Sequence, residues 1–532
     1  MAQLRAILDI VDDDLAAKSG VRDSFRILAE VQRHDPRMVA ELLSSPQTGA
    51  WAATCLRLLT SRDPDSPVWL HLAHLGSVAA ISALRARQRV RVMVPVHAGA
   101  VHLPTFGRAS IATAEKLVEC DTDLGLWLNG AEPAAWESVR TLHSVAGGVP
   151  LEVQLDDVDP YWSSFGMPTT GRLTNEEVAV WKDQIDEAWA ILGERHPHRL
   201  HTLAAALRCL VPVRQDGRIG GVSASSVDAP GAVALTEPMS PVRLAATLIH
   251  ESQHYRLASL HDLRHLYTTP PTQLRYSPWR NDPRPVSGVV HGLMAFAGVA
   301  EFWSRERVDL PTELEYARHI RQLRVAHRVA STASDLTELG RALVAALGTA
   351  IDAMPVDTGP EDVRRVADDL VSEHEARWRL RTIVPSPENV RAFGEAWLAG
   401  TSLPISHATP PAACAPSGDN PVTRVAMALL EGKFERQKLG DVQFAQHFPG
   451  AVSYHVPLVA GDYQVARDDA LAYIGADTAD DAAWATLSVA CGRLSAEPNR
   501  SPVVRVPELV RAAFAVIAPD GDLRPLRALL AR

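Results

Sequence analysis

The chain has 532 residues, 46% of them hydrophobic and 22% charged, which is the composition of a globular protein with room for two to four domains. Its 63 Asp and Glu outnumber 53 Lys and Arg, for a net charge of -10, and no basic block stands out. Nucleic acid is therefore not an expected partner, because that binding leans on clustered cations that neutralise phosphates.

The start, MAQLRAILDIVDDDL, has no basic stretch followed by an apolar one and a small-residue cleavage site, so no export signal is expected. No apolar run reaches the roughly 18 residues of a membrane span, so no membrane partner is expected either. Cys55, Cys120, Cys209, Cys414 and Cys491 lie far apart without a CxxC pair. They read as reduced thiols of a cytoplasmic protein rather than as a zinc ribbon or iron-sulfur centre.

Residues 1–90 carry Ala, Leu, Arg and Asp at helical spacing, as in DSFRILAEVQRHDPRMVAELLSS. The texture then changes: RVRVMVPVHAGAVHLPTFG alternates around an Ala-Gly turn and predicts a hairpin. DLGLWLNG and VPLEVQLDDVD read as further strands. TNEEVAVWKDQIDEAWAILGERH predicts a helix with Thr174 as its N-cap.

GGVSASS and GAVALTE follow as short strands, the second expected at a sheet edge. Ser240 and Pro241 then signal the start of a helix, one as cap and the other at the first helical position, where a missing N–H is harmless. The prolines of TTPPTQLRYSPWRNDPRPVSG require a loop, and GVVHGLMAFAGVAEFWSRERV predicts a long buried helix. ISHATPPAACAPSGDNP has the composition of a linker. Near the end, GDYQVARDDALAYIGADTADDAAWATLSVA is similar to one helix-turn-helix unit of a tetratricopeptide array. The expected segments are a helical region 1–90, a catalytic region 91–400, a linker 401–420 and a helical tail 421–532.

The helix that opens at Pro241 contains LIHESQHYRLASL, a His-Glu-x-x-His motif. His250 and His254 are one turn apart, so both rings leave the same face and can reach one ion, while Glu251 sits about 100° round the helix. A bland alternative is a surface helix with ordinary polar residues. Against it, Leu244, Leu248, Ile249, Leu257 and Leu260 mark the helix as buried, and burying two imidazoles without partners is costly. A third ligand has two candidates downstream: His291, a lone polar residue in an apolar run, and Glu301, ten residues later and about 80° round the same helix. Either is also readable as a satisfied polar group of the core. The fold expected from these elements is α+β, mostly α-helical, with a zincin-like motif helix beside a small mixed sheet and a tetratricopeptide-like helical tail.

The block LIHESQHYRLASLHDL, followed by YSPWRNDPRPVSGVVHGLMAFAGVAEFW, closely resembles the HExxH-motif domain of bacterial peptide natural-product clusters, the 2-oxoglutarate-dependent HExxH-type peptide β-hydroxylases. The resemblance covers about residues 20 to 400 and is most specific from 248 to 303. It implies Fe(II) as metal, 2-oxoglutarate and O2 as cosubstrates, and hydroxylation of the β-carbon of a residue in a ribosomally synthesised precursor peptide. It further implies His250 and His254 as iron ligands with His291 as the third, although the common two-histidine, one-carboxylate set would favour Glu301. Glu251 becomes a proton-handling residue beside the metal. The far carboxylate of 2-oxoglutarate calls for a forked cation, for which Arg280 and Arg284 in PWRNDPRP are the candidates, with Arg256 nearer in sequence. Each arginine is equally readable as a solvated surface charge.

Two further readings stand beside this one. A zinc metallopeptidase would use Glu251 as general base to activate a water against a peptide bond. A non-catalytic helical scaffold would keep the motif as a remnant and bind a partner through its tail. That tail could also hold a leader peptide or a partner maturation enzyme in a working oxygenase.

Overall fold

The computed structural model describes residues 2–61, 67–123, 125–214, 221–237, 240–268, 273–356, 358–405, 411–412, 420–432, 444 and 448–531. The protein is mostly helical, 60% helix, with a curled antiparallel sheet and a second, mixed sheet, so its class is α+β, mostly α. It divides into two units, Met1–Ala258 and Ser259–Arg532.

Unit 1 begins with α1 (Ala2–Ile10), α2 (Asp13–Ser19), α3 (Val21–His34), α4 (Pro36–Leu43), α5 (Pro46–Ser61) and α6 (Val68–Arg85). The stretch expected as helical around residue 35 is split in two. Asp35 leaves the helical conformation, its carboxylate accepts from Met38 N at 3.0 Å, and Pro36 opens the next helix, the arrangement that suits a missing N–H. α6 is buried along most of its length, and its Gly76 lies against the Met93 carbonyl with no room for a Cβ. This close approach seats the helix on the first sheet.

That sheet runs β5-β4-β1-β2-β3-β6, from β1 (Arg91–His97), β2 (Ala100–Leu103), β3 (Gly107–Ser110), β4 (Leu117–Asp121), β5 (Trp127–Leu128) and β6 (Trp136–Ser138). The β1–β2 hairpin turns through Ala98 and Gly99, both at positive φ (50° and 80°), with His97 opposite Ala100. Two consecutive positive φ values match the twist of a two-residue hairpin.

The second sheet runs β10-β11-β9-β8-β7, from β7 (Arg140–Ala146), β8 (Val149–Leu155), β9 (Cys209–Pro212), β10 (Ser223–Ser225) and β11 (Ala232–Leu235). β9 pairs in parallel with β8 and β11, and the other pairs are antiparallel. GAVALTE was expected at an edge, yet its β11 lies between β10 and β9. The reason is compositional: Ala232, Val233, Ala234 and Leu235 are all buried, as a strand covered on both faces demands. The polar Ser223–Ser225 forms the edge instead. Between the sheet strands lie α7 (Asn175–Arg195), with Thr174 as N-cap as expected and with Glu177 completing a reciprocal capping box, and α8 (Pro197–Ala206).

α9 (Pro241–Leu263) starts at the proline anticipated from sequence. Its last residues, from Ser259, fall in unit 2.

Unit 2 contains α10 (Val286–Trp303), α11 (Leu310–Ser331), α12 (Glu338–Asp352), α13 (Glu361–Thr382), α14 (Pro387–Ala399), α15 (Pro421–Leu430) and shorter helices to Leu530. Helices Tyr463–Ala476 and Asp481–Leu494 form on the repeat-like stretch, joined by a turn in which Asp480 accepts from Ala482 N and Ala483 N. Most of the linker ISHATPPAACAPSGDNP, with Cys414, lies outside the described residues. The sequence expectation that no run reaches a membrane span is met by one exception among the described residues: α10 is long and apolar enough by length and composition, and most of it is buried inside the protein. The four described cysteines are unpaired, and Cys55, Cys120 and Cys209 are buried.

Candidate metal centre

α9 presents its two histidines as its apolar spacing requires. Leu244, Leu248, Ile249 and Leu257 are buried, which fixes the rotation of the helix and sets His250 and His254 side by side. Their Nε2 atoms are 3.1 Å apart, and the rings stand nearly perpendicular at 82°. Two imidazoles bonded to one ion at about 2.1 Å with an angle near 95° would have nitrogens at this separation. Burial lowers the basicity of both rings, against the opposing charge of Glu251, and takes His254 down to about 4. Neutral imidazoles are the form that ligates. The pair therefore fits a divalent transition metal.

Glu251 is 2% exposed and close enough to act electrostatically on both histidines. Its Oε1 accepts from Ser223 Oγ of the edge strand at 2.8 Å, while Oε2 has no hydrogen-bond partner. Further along the same helix, Tyr255 donates to the Ala232 carbonyl of β11. Arg256, the nearest arginine in sequence, is exposed and donates to Gln253 at 3.1 Å. Ser240, expected to cap α9, has its carbonyl engaged by Leu244 N at 2.9 Å.

The remaining candidates belong to unit 2. Arg280 and Arg284 are gathered by one carboxylate, with Arg280 Nε to Asp282 Oδ1 at 2.9 Å and Arg284 Nη1 to Asp282 Oδ2 at 3.0 Å. Burial would raise the Asp282 carboxyl, but the two guanidinium groups outweigh it and hold the group below its ordinary value. The loop around them is closed by reciprocal backbone bonds between Arg275 and Arg284, 2.7 and 2.9 Å. Gly292 of α10 lies against the Trp279 ring with no room for a Cβ, and Trp279 stacks on Phe296 at 4.5 Å and 8°. Each guanidinium has five N–H donors, so the fit to a carboxylate ligand survives the Asp282 contacts.

His291 and Glu301 share α10 but stand about 15 Å apart along its axis at 1.5 Å per residue. Glu301 accepts from Arg305 Nη1 at 2.7 Å. Among the described residues no group of three or more His, Cys, Asp and Glu is gathered so as to hold a metal ion, and the centre is described as the His250–His254 pair with Glu251 beside it.

Sequence reasoning missed Ser223 and Asp282. The first lies 28 positions before Glu251 on another element and left no signal. The second sits two residues from each arginine, and that spacing is the signal that could have found it. No protein-family model matches the chain, and no curated protein matches it.

Proposed function

We propose that this protein is an iron(II)- and 2-oxoglutarate-dependent oxygenase that hydroxylates the β-carbon of a residue in a ribosomally synthesised precursor peptide. The observation that carries the reading is the pair of neutral, partly buried imidazoles with nitrogens 3.1 Å apart, one turn apart on α9 and flanked by a buried carboxylate. The resemblance of residues 248–303 to the HExxH-type hydroxylases turns this general metal site into a specific reaction.

Iron with 2-oxoglutarate and O2 supplies oxidising power, so that a peptide C–H becomes C–OH while 2-oxoglutarate leaves as succinate and CO2. The protein's own part is to hold and orient. His250 and His254 would hold the metal, and His291 is proposed as third ligand because Glu301 is already paired with Arg305. Arg280 and Arg284 would grip the far carboxylate of 2-oxoglutarate, where forked charge-assisted hydrogen bonds suit a planar anion. Glu251 Oε2 would accept a proton-bearing group next to the histidines. The motif helix beside a mixed sheet supports a zincin-like core, and helices Tyr463–Ala476 and Asp481–Leu494 support a tetratricopeptide-like tail that binds a leader peptide or a partner maturation enzyme. The proposed setting is the cytoplasm.

A second reading, a zinc metallopeptidase, is favoured by one observation: Glu251 keeps an oxygen without a protein partner, as a general base needs. The deciding experiment reconstitutes the chain anaerobically with Fe(II), adds 2-oxoglutarate and O2, and measures succinate with and without a candidate peptide encoded beside the gene. Peptide-stimulated succinate and a product heavier by one oxygen atom support the oxygenase. Zinc-dependent cleavage of the peptide without succinate would replace it with the peptidase.

A further inference from the structure

The edge strand β10 meets the motif helix through a side-chain hydrogen bond. Ser223 and Ser225 are two residues apart, so their side chains share one face of the strand at about 7 Å spacing. Glu251 and Tyr255 are four apart on α9, about 6 Å along its axis. Ser223 donates to Glu251 at 2.8 Å, and Tyr255, one turn further on, donates its hydroxyl to the Ala232 carbonyl of β11. The sheet is thus fastened to α9 through two neighbouring strands, β10 and β11.

One of these links meets a residue between the two histidines. A buried carboxylate can accept about four hydrogen bonds, and leaving a buried acceptor without a partner is costly. Glu251 satisfies Oε1 with Ser223 and leaves Oε2 bare. Without the serine, the carboxylate plane could turn within the broad well of its last torsion and swing the free oxygen away from its present direction.

We propose that Ser223 is a positioning residue of this centre: it holds Glu251 by Oε1 and so fixes the direction in which Oε2 is offered to a hydrogen-bond donor bound beside His250 and His254. This rests on the metal reading above. Ser223 itself touches neither metal nor substrate and acts only through Glu251.

The test loads the full chain with Co(II) as a spectroscopic substitute and, separately, with Fe(II) for turnover. Ser223→Ala is expected to keep one cobalt per chain, to alter the visible cobalt absorption, and to lower kcat about tenfold, the lower end for loss of a partner around a metal site, with peptide KM unchanged. Ser223→Thr keeps the hydroxyl and should restore both spectrum and kcat. In a Glu251→Gln background, Ser223→Ala should add less than about a twofold loss, because coupled residues are not additive. Ser223→Cys, similar in shape with a weak donor, carries the comparison if Ser223→Ala does not fold.

A cobalt spectrum and kcat that Ser223→Ala leaves at the parent's values overturn the proposal while the metal reading stands. A tenfold loss repeated in the Glu251→Gln background also overturns it, since the serine would then act elsewhere. If the parent chain binds no cobalt, the metal reading fails and this inference falls with it.

Discussion

His250 and His254 face one another with their Nε2 atoms 3.1 Å apart, on a helix whose Leu244, Leu248, Ile249 and Leu257 are buried. That contact makes chemical sense in two ways: as a hydrogen bond between one protonated and one bare nitrogen, or as two lone pairs converging on a cation. The two differ in what removal of one ring does. In the first case the remaining imidazole keeps most of the site's behaviour, and in the second the ion leaves.

The expectation is that His250→Ala and His254→Ala each weaken iron binding on the order of 100-fold or more, beyond the 10–100-fold usual for residues around a metal's ligands. Turnover should fall to background in both. Iron content after gel filtration, with succinate formation beside it, checks this. Full iron occupancy in either variant would mean that the pair is only a hydrogen bond.

Asp282 stands between Arg280 and Arg284 and is partnered by both at 2.9 and 3.0 Å. If the arginines serve 2-oxoglutarate, Arg280→Ala or Arg284→Ala should raise the KM for 2-oxoglutarate by about 10- to 100-fold, the range of about 1.5–3 kcal/mol for a hydrogen bond to a charged group, and leave peptide KM within about twofold. Asp282→Asn should move the same constant in a smaller measure, because it changes how the two forks are held. Parental cosubstrate kinetics in both arginine variants would reduce these residues to partners of Asp282.

His291 and Glu301 cannot serve one ion together, because about 15 Å of helix axis separates them. Glu301 is spent on Arg305 at 2.7 Å, so Glu301→Ala is expected to keep iron and to lose at most about 0.5 kcal/mol of stability, as exposed i,i+4 pairs do. His291→Ala is expected to lose iron. Metal analysis of the two variants side by side decides the third ligand, and iron loss in Glu301→Ala alone would reverse the assignment.

How far the sequence could be read depended on whether a feature was local. The His250–His254 spacing, the Thr174 N-cap, the Pro241 helix start and the Ala98–Gly99 hairpin each reside in a few neighbouring residues, and each is where sequence reasoning put it. Ser223, by contrast, meets Glu251 only because the sheet folds against α9. β11 was mistaken for an edge because a short apolar strand shows its neighbours only through burial, and the split at Asp35 was hidden by an otherwise helical pattern. The gathering of His71, His74, His97 and His102 also escaped notice. The first two sit on α6, and the others come from a hairpin that α6 covers.

That histidine group gives the protein a sensitivity to acid. His97 lies 5.6 Å from His71, 6.1 Å from His74 and 6.3 Å from His102, ring centre to ring centre, and Tyr161 touches three of the four, with its hydroxyl 3.3 Å from His71 Nδ1 and 3.4 Å from His97 Nε2. Neither ring nitrogen of His74 has a hydrogen-bond partner, and the residue is 0% exposed. Burial lowers the basicity of all four, helped by their mutual repulsion at His74 and His97 and by Arg108 at His102; His97 and His102 come down to about 4. Above the unfolded value of 6.5 these rings are neutral in both states and contribute nothing to pH dependence. As pH falls from 6.5 towards 4, the unfolded chain takes up protons that the folded one refuses, and stability declines. The buried Asp156 and Asp159 nearby have raised values and work in the opposite direction, so the comparison must be between variants. His74→Leu removes a buried base without a partner; it should cost little at pH 7.5 and should flatten the loss of stability between pH 6.5 and 4.5 by about 1.4 kcal/mol for each pH unit of proton uptake avoided. Denaturant midpoints of parent and variant across that range are the measurement, and parallel curves would place the acid sensitivity in other residues.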